Sequence, residues 1–84
     1  MSDTSGVFTK VQEVFKASFN VDPQLVTLET SAKDIPGWDS VGHLSLASNL
    51  ELAFKISLDV DEMMEMENVR EIVRIIQAKT AKGV

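Results

Sequence analysis

Ile35-Pro36-Gly37-Trp38-Asp39-Ser40-Val41-Gly42-His43-Leu44, running on through Leu46, Ala47 and Leu50 to Ala53-Phe54, is the stretch from which the rest of the chain can be read. Ile-Pro-Gly forces a turn. Asp39-Ser40 then opens a helix, because short polar side chains at that point satisfy backbone N–H groups that have no helical partner. The helix continues to about Ala53 or Phe54. Leu44, Ala47, Leu50 and Phe54 line one side at three- and four-residue spacing, with Val41 and Leu46 flanking the stripe. A helix with one apolar side needs other elements to cover it, and the flanking sequence supplies only helices.

Upstream, Val7, Phe8, Val11, Val14, Phe15, Ser18 and Phe19 share one face of a first helix that starts at about Thr4 or Ser5. Ser2, Asp3, Thr4 and Ser5 are its candidate N-caps, and Asn20 and Pro23 mark its end. The connection from Asn20 to Trp38 is long for a compact domain. It contains Leu25, Val26, Leu28 and Ile35, which predicts that it lies across the bundle and gives side chains to the core. Downstream, Ile56 and Leu58 read as a short buried connection, since there is no second strand to pair with. A short third helix is predicted near Asp61–Met66, opened by acids that suit the positive end of a helix dipole. Asn68 with Glu71 three residues on resembles a capping box, and Val69, Ile72, Val73, Ile75 and Ile76 follow on one face. That helix fades through Lys79 and Lys82 towards Gly83. The expected fold is all-α: a small four-helix bundle of three main helices plus a short third, with a long loop between helices one and two. Residues 1–84 read as a single domain.

A chain of 84 residues buries a thin core, with little room for a catalytic cleft and its supporting shell. With 13 acidic and 8 basic residues the net charge is −5, which repels nucleic-acid backbone and anionic lipid and attracts basic partner surfaces. No cysteine is present, and one histidine cannot build an imidazole metal cluster, so no metal site is expected. No apolar run approaches the roughly 20 residues that cross a bilayer. The start of the chain lacks the charged-then-apolar order of a signal peptide, so the expected location is the cytoplasm.

The chemistry concentrates at Ser40. Its hydroxyl sits in the first turn of a helix, directly after an acid and a glycine turn. A phosphate joined there would lie where unpaired amides and the macrodipole favour an anion. Asp39-Ser40 is also an ordinary N-cap pair, and from those two residues alone capping is the favoured reading. Serine hydrolysis is not supported. There is no Gly-x-Ser-x-Gly elbow, and His43 has no evident buried acid behind it.

Gly37-x-Asp39-Ser40-Val41 resembles the Gly-x-Asp-Ser-Leu attachment motif of the acyl carrier protein family, and the resemblance covers nearly the whole chain. Leu50, Phe54, Leu58, Met63, Met66, Val69 and Ile76 fall where that family places core residues. The resemblance implies a carrier rather than an enzyme, with no catalytic residue of its own. Ser40 would receive 4'-phosphopantetheine covalently from coenzyme A, and the arm's thiol would hold acyl intermediates as thioesters. Asp39 would help orient the arm and the modifying enzyme, and Val41 would be a docking contact. The implied partners are a phosphopantetheinyl transferase and acyl-loading, acyl-transfer or condensing enzymes, served by a monomer. Peptidyl, aminoacyl or D-alanyl cargo, or an unmodified docking module, are the alternatives.

Val41 departs from the family's usual leucine. Gly42, His43 and Ser45 stand where carriers of fatty-acid synthesis tend to be acidic, and Glu51 is the only acid between Val41 and Lys55. The chain therefore looks more like carriers of specialised lipid, polyketide or surface-polysaccharide pathways. Its acids gather instead at Asp59, Asp61, Glu62, Glu65 and Glu67, a run that reads as a solvated face or as a docking patch. Met63 and Met66 read as adaptable filler or as the lining of a pocket that opens for an acyl chain. His43 reads as an exposed helix residue, with contact to the arm or a partner as the alternative. Trp38 reads as an anchor for the loop, with a contact to cargo or partner as the alternative.

Overall fold

The computed structural model describes residues 4–81. It contains four α-helices: α1 (Thr4–Phe19), α2 (Ser40–Phe54), α3 (Val60–Glu65) and α4 (Val69–Ala81). Short 3-10 turns over Pro23–Leu25 and Ala32–Asp34 interrupt the loop between α1 and α2. Among the described residues the only β-type pairing is an isolated bridge between Ser31 and Asn68, so the helical bundle expected from the sequence is the fold. Ser2, Asp3, Lys82 and Gly83, candidates for the ends of the first and last helices, lie outside the described residues.

α1 packs on both α2 and α4, and α3 leans on α4. Val11, Val14 and Phe15 of α1 meet Leu46, Ala47 and Leu50 of α2 and Val69, Ile72, Val73, Ile75 and Ile76 of α4 in one buried cluster. α1 ends as predicted at Asn20, which takes a left-handed conformation (φ 57°) and donates its N–H to Lys16 O at 2.8 Å. The loop does cross the bundle. Val26 and Ile35 are buried and Leu28 packs on the core, but Leu25 is 71% exposed. The Asp22-capped turn over Pro23–Leu25 leaves Leu25 on its outer side and delivers Val26 inward.

On α2 the predicted stripe holds at Ala47, Leu50 and Phe54 and fails at its first position. Leu44 is 61% exposed, whereas Leu46, expected at the margin, is wholly buried. The inward positions are His43, Leu46, Ala47 and Leu50, so a polar residue takes the place in the first turn that was expected for Leu44.

Past α2, Lys55 turns left-handed (φ 56°), and the backbone N–H of Leu58 donates to Glu51 Oε2 at 2.8 Å. Leu58 is buried and Ile56 packs against the core, the connection expected, with no strand among the described residues. α3 begins one residue earlier than expected because Asp59 caps it. Asp59 Oδ1 accepts from Glu62 N at 2.8 Å, and Glu62 Oε1 accepts from Asp59 N at 3.0 Å. At α4 only half of the predicted box forms: Asn68 Oδ1 accepts from Glu71 N, while the Glu71 carboxylate turns to Arg74. Its hydrogen bond and negative charge raise the Arg74 pKa.

Candidate functional site

The site is built by a turn, a cap and a missing side chain. Trp38 N donates to Ile35 O at 3.1 Å, closing a four-residue turn with Pro36 and Gly37 in its middle. Proline pre-sets its own φ, and Gly37 adopts the positive φ of 92° that side chains disfavour. Asp39 then caps α2. Its Oδ1 accepts from Gly42 N at 2.9 Å, and its carbonyl accepts from His43 N at 2.7 Å. Ser40 is the first residue of α2 and exposed, and its hydroxyl makes no hydrogen bond among the described residues. The capping role that Asp39 and Ser40 could have shared therefore belongs to Asp39 alone.

Gly42 is the residue that sequence reasoning missed. A Cβ on it would overlap the carbonyl oxygen of Gly37 and lie 3.0 Å from Phe19 Cε1. The first turn of α2, which carries Ser40, thus rests directly on the Gly37 backbone. The available signal was a second glycine within the first turn of a helix, where glycine is otherwise unfavourable.

Behind Ser40 lies an aromatic buttress. Trp38 is buried, edge-on to Phe15 (centroids 5.1 Å apart) and stacked near Phe19 at 6.2 Å and His43 at 6.1 Å. Trp38 is therefore packed within the bundle, as expected of an anchor for the loop. His43 is not the exposed residue expected. It is half-buried, with Trp38 Nε1 donating to its Nδ1 at 2.8 Å and its Nε2 2.7 Å from Met63 O on α3. An indole N–H can only donate, so Nδ1 accepts and Nε2–H donates to the carbonyl, which is the neutral imidazole.

Ala32, Trp38, Asp39, Ser40, His43 and Met66 surround an open cleft of about 470 Å³. Its buried lining is Trp38 and Met66, and Ser40 stands on its rim. Val41 is 74% exposed beside it.

The acidic run divides. Asp59 and Glu62 form the α3 cap, Glu62 meets Lys79 at 2.9 Å, and Glu65 meets Arg74 at 3.5 Å. Met63 packs on the core, Met66 is buried, and Met64 is 70% exposed. Among the described residues no cluster of metal ligands exists, and no helix is long and apolar enough to cross a membrane.

Residues 9–76 match the family described as the phosphopantetheine attachment site. The chain belongs to the acyl carrier protein family. The acyl carrier protein of Campylobacter concisus is 30% identical over 71 residues, covering 84% of this chain and 92% of that protein. That of Phytoplasma mali is 28% identical over 71 residues, covering 84% of each. Among solved structures, the holo acyl carrier protein from Geobacter metallireducens superposes with a TM-score of 0.82 at 31% identity, covering 92% of this chain and 88% of that one.

Members of this family are carriers, not enzymes, and their cofactor is covalently attached 4'-phosphopantetheine. The residues here fit that group: a solvent-facing hydroxyl without a competing partner, at a rigid helix start, beside a cleft with an apolar lining along which a pantetheine arm could lie.

Proposed function

We propose that Ser40 is the attachment point of the phosphopantetheine arm, and that the carrier presents acyl groups to partner enzymes from it. The observation that carries this reading is the division of labour at the start of α2: Asp39 caps the helix, which leaves the exposed Ser40 hydroxyl unengaged. When bound, the arm supplies a terminal thiol that holds acyl groups as thioesters. The protein's own residues hold the arm's root. Asp39 and the Gly37 turn fix the Ser40 backbone, and the flexible arm raises the local concentration of cargo at each partner's active site.

Val41, exposed next to Ser40, is the docking contact for the phosphopantetheinyl transferase and for acyl-loading, acyl-transfer or condensing enzymes. The neutral, partly apolar outer face of α2, with Val41, Leu44 and Leu52 exposed, supports a specialised lipid, polyketide or surface-polysaccharide role. Such a carrier is a cytoplasmic monomer of one domain.

Intact mass after incubation with coenzyme A and a broad-specificity phosphopantetheinyl transferase tests the assignment, beside a Ser40→Ala control. A gain of one arm that the control lacks supports it. No gain in a folded protein leaves an unmodified docking module.

A further inference from the structure

We infer that His43 is a gate across the seam between α2 and α3, and that it selects cargo short enough to stay in the cleft beside Ser40. The inference rests on the carrier reading above. The imidazole crosses from α2 to α3: Nε2–H holds the Met63 carbonyl at 2.7 Å while Nδ1 accepts from Trp38 at 2.8 Å. The same imidazole lines the cleft on whose rim Ser40 stands. Leu46, Leu50 and Met66, with Met63 packed against them, belong to the apolar cluster that a longer chain would have to enter.

Three features make the closed gate hard to open. Swinging His43 out breaks both hydrogen bonds at once. It also strands the Trp38 Nε1–H, a donor on a residue only 5% exposed, and an orphaned buried donor is costly. Finally, α3 has six residues, too few to be a stable helix alone, so its place depends on what ties it down. Ion pairs to Lys79 and Arg74 tie it to α4, and His43 ties it to α2. With the gate shut, a short acyl group lies against Trp38 and Met66, and a long one is left at the surface with its apolar tail in water.

The test loads butyryl and dodecanoyl arms on the wild-type carrier, His43→Ala and His43→Gln. It reads two things: backbone amide shifts at Leu46 and Met63, and the rate at which hydroxylamine cleaves the thioester. In the wild type neither load is expected to shift those seam amides, and the dodecanoyl thioester, left outside the cleft, is expected to be cleaved at least as fast as the butyryl one. In His43→Ala the dodecanoyl thioester should be cleaved about tenfold more slowly, with both amides shifted, because opening the seam no longer breaks the hydrogen bonds. Gln retains one acceptor and one donor, and should return most of the wild-type behaviour.

Protection of dodecanoyl in the wild type would overturn the gate, and this needs no variant to fold. So would a folded His43→Ala indistinguishable from wild type. Failure to take up any arm would overturn the carrier reading and the gate together, whereas arm uptake with wild-type protection of the long chain overturns the gate alone.

Discussion

Replacing Gly42 by alanine is expected to destabilise the carrier even though alanine is the better helix former. Relief of glycine's backbone entropy in a helix favours the substitution by up to about 1 kcal/mol. Against this, the new Cβ overlaps the Gly37 carbonyl oxygen and meets Gly37 C and Phe19 Cε1 at 3.0 Å. Phe19 could tilt, but the Gly37 oxygen is backbone, in a turn pinned by the Trp38 N to Ile35 O bond and by the buried Trp38 ring. The turn and the first turn of α2 must separate, which is an overpacking cost of roughly 1–3 kcal/mol. Separation also strains the Asp39 cap, whose Oδ1 bonds the very N–H of residue 42, and a lost cap costs about 1 kcal/mol. The net loss is about 2 kcal/mol, or a fall in Tm of ~8–16 °C for a domain this small. Calorimetry of Gly42→Ala beside Ser48→Ala, an exposed position on the same helix, measures it. The loading rate at Ser40 should fall as well, since the turn that carries the serine rests on this contact. A Gly42→Ala protein as stable as wild type, loaded at the same rate, would refute the claim that backbone contact with the Gly37 turn positions the serine.

The exchange of Leu44 for Leu46 in the buried face of α2 makes its own prediction: Leu46→Ala should cost about 2–5 kcal/mol in urea unfolding, while Leu44→Ala, at an exposed position, should stay within about 0.5 kcal/mol of wild type. Asp39→Ala removes the cap of α2 and should lose about 1 kcal/mol, read by the same unfolding curve, and should slow arm attachment further than its stability loss accounts for. Glu62 anchors both the α3 cap and Lys79, so Glu62→Lys should lower Tm. Asp61, exposed in the first turn of α3, should tolerate Asp61→Lys with little change in Tm. If the acids of α3 dock partners, acyl loading of Asp61→Lys and of Glu65→Lys should slow, and unchanged loading kinetics would remove that role.

What the sequence made legible follows from which interactions leave a periodic trace. α1 and α4 bury apolar side chains at regular spacing, and the buried residues Val11, Val14, Phe15, Val69, Ile72, Val73 and Ile76 are those the pattern picks out. Caps are local, so Asp39 and Asn68 mark helix starts to within a residue. On α2 the reading failed only in the first turns, where the inward position is an imidazole. Polarity argued that His43 faces water, whereas its two hydrogen-bonding partners, Trp38 Nε1 and Met63 O, lie on a loop and on another helix. A polar group is tolerated inside when both of its nitrogens are satisfied, and that is a tertiary fact with no signature at three- or four-residue spacing. Gly42 was hidden for the opposite reason. Its contribution is the absence of a side chain, which allows the first turn of α2 to rest on the Gly37 backbone. On the proposed reading the motif contains the residue that takes the arm, but the backbone from which it is presented rests on a contact between Gly42 and the Gly37 turn that the motif does not include. A sequence carrying Gly37-x-Asp39-Ser40 with a bulky residue at 42 would keep the motif and lose the geometry that makes the serine presentable.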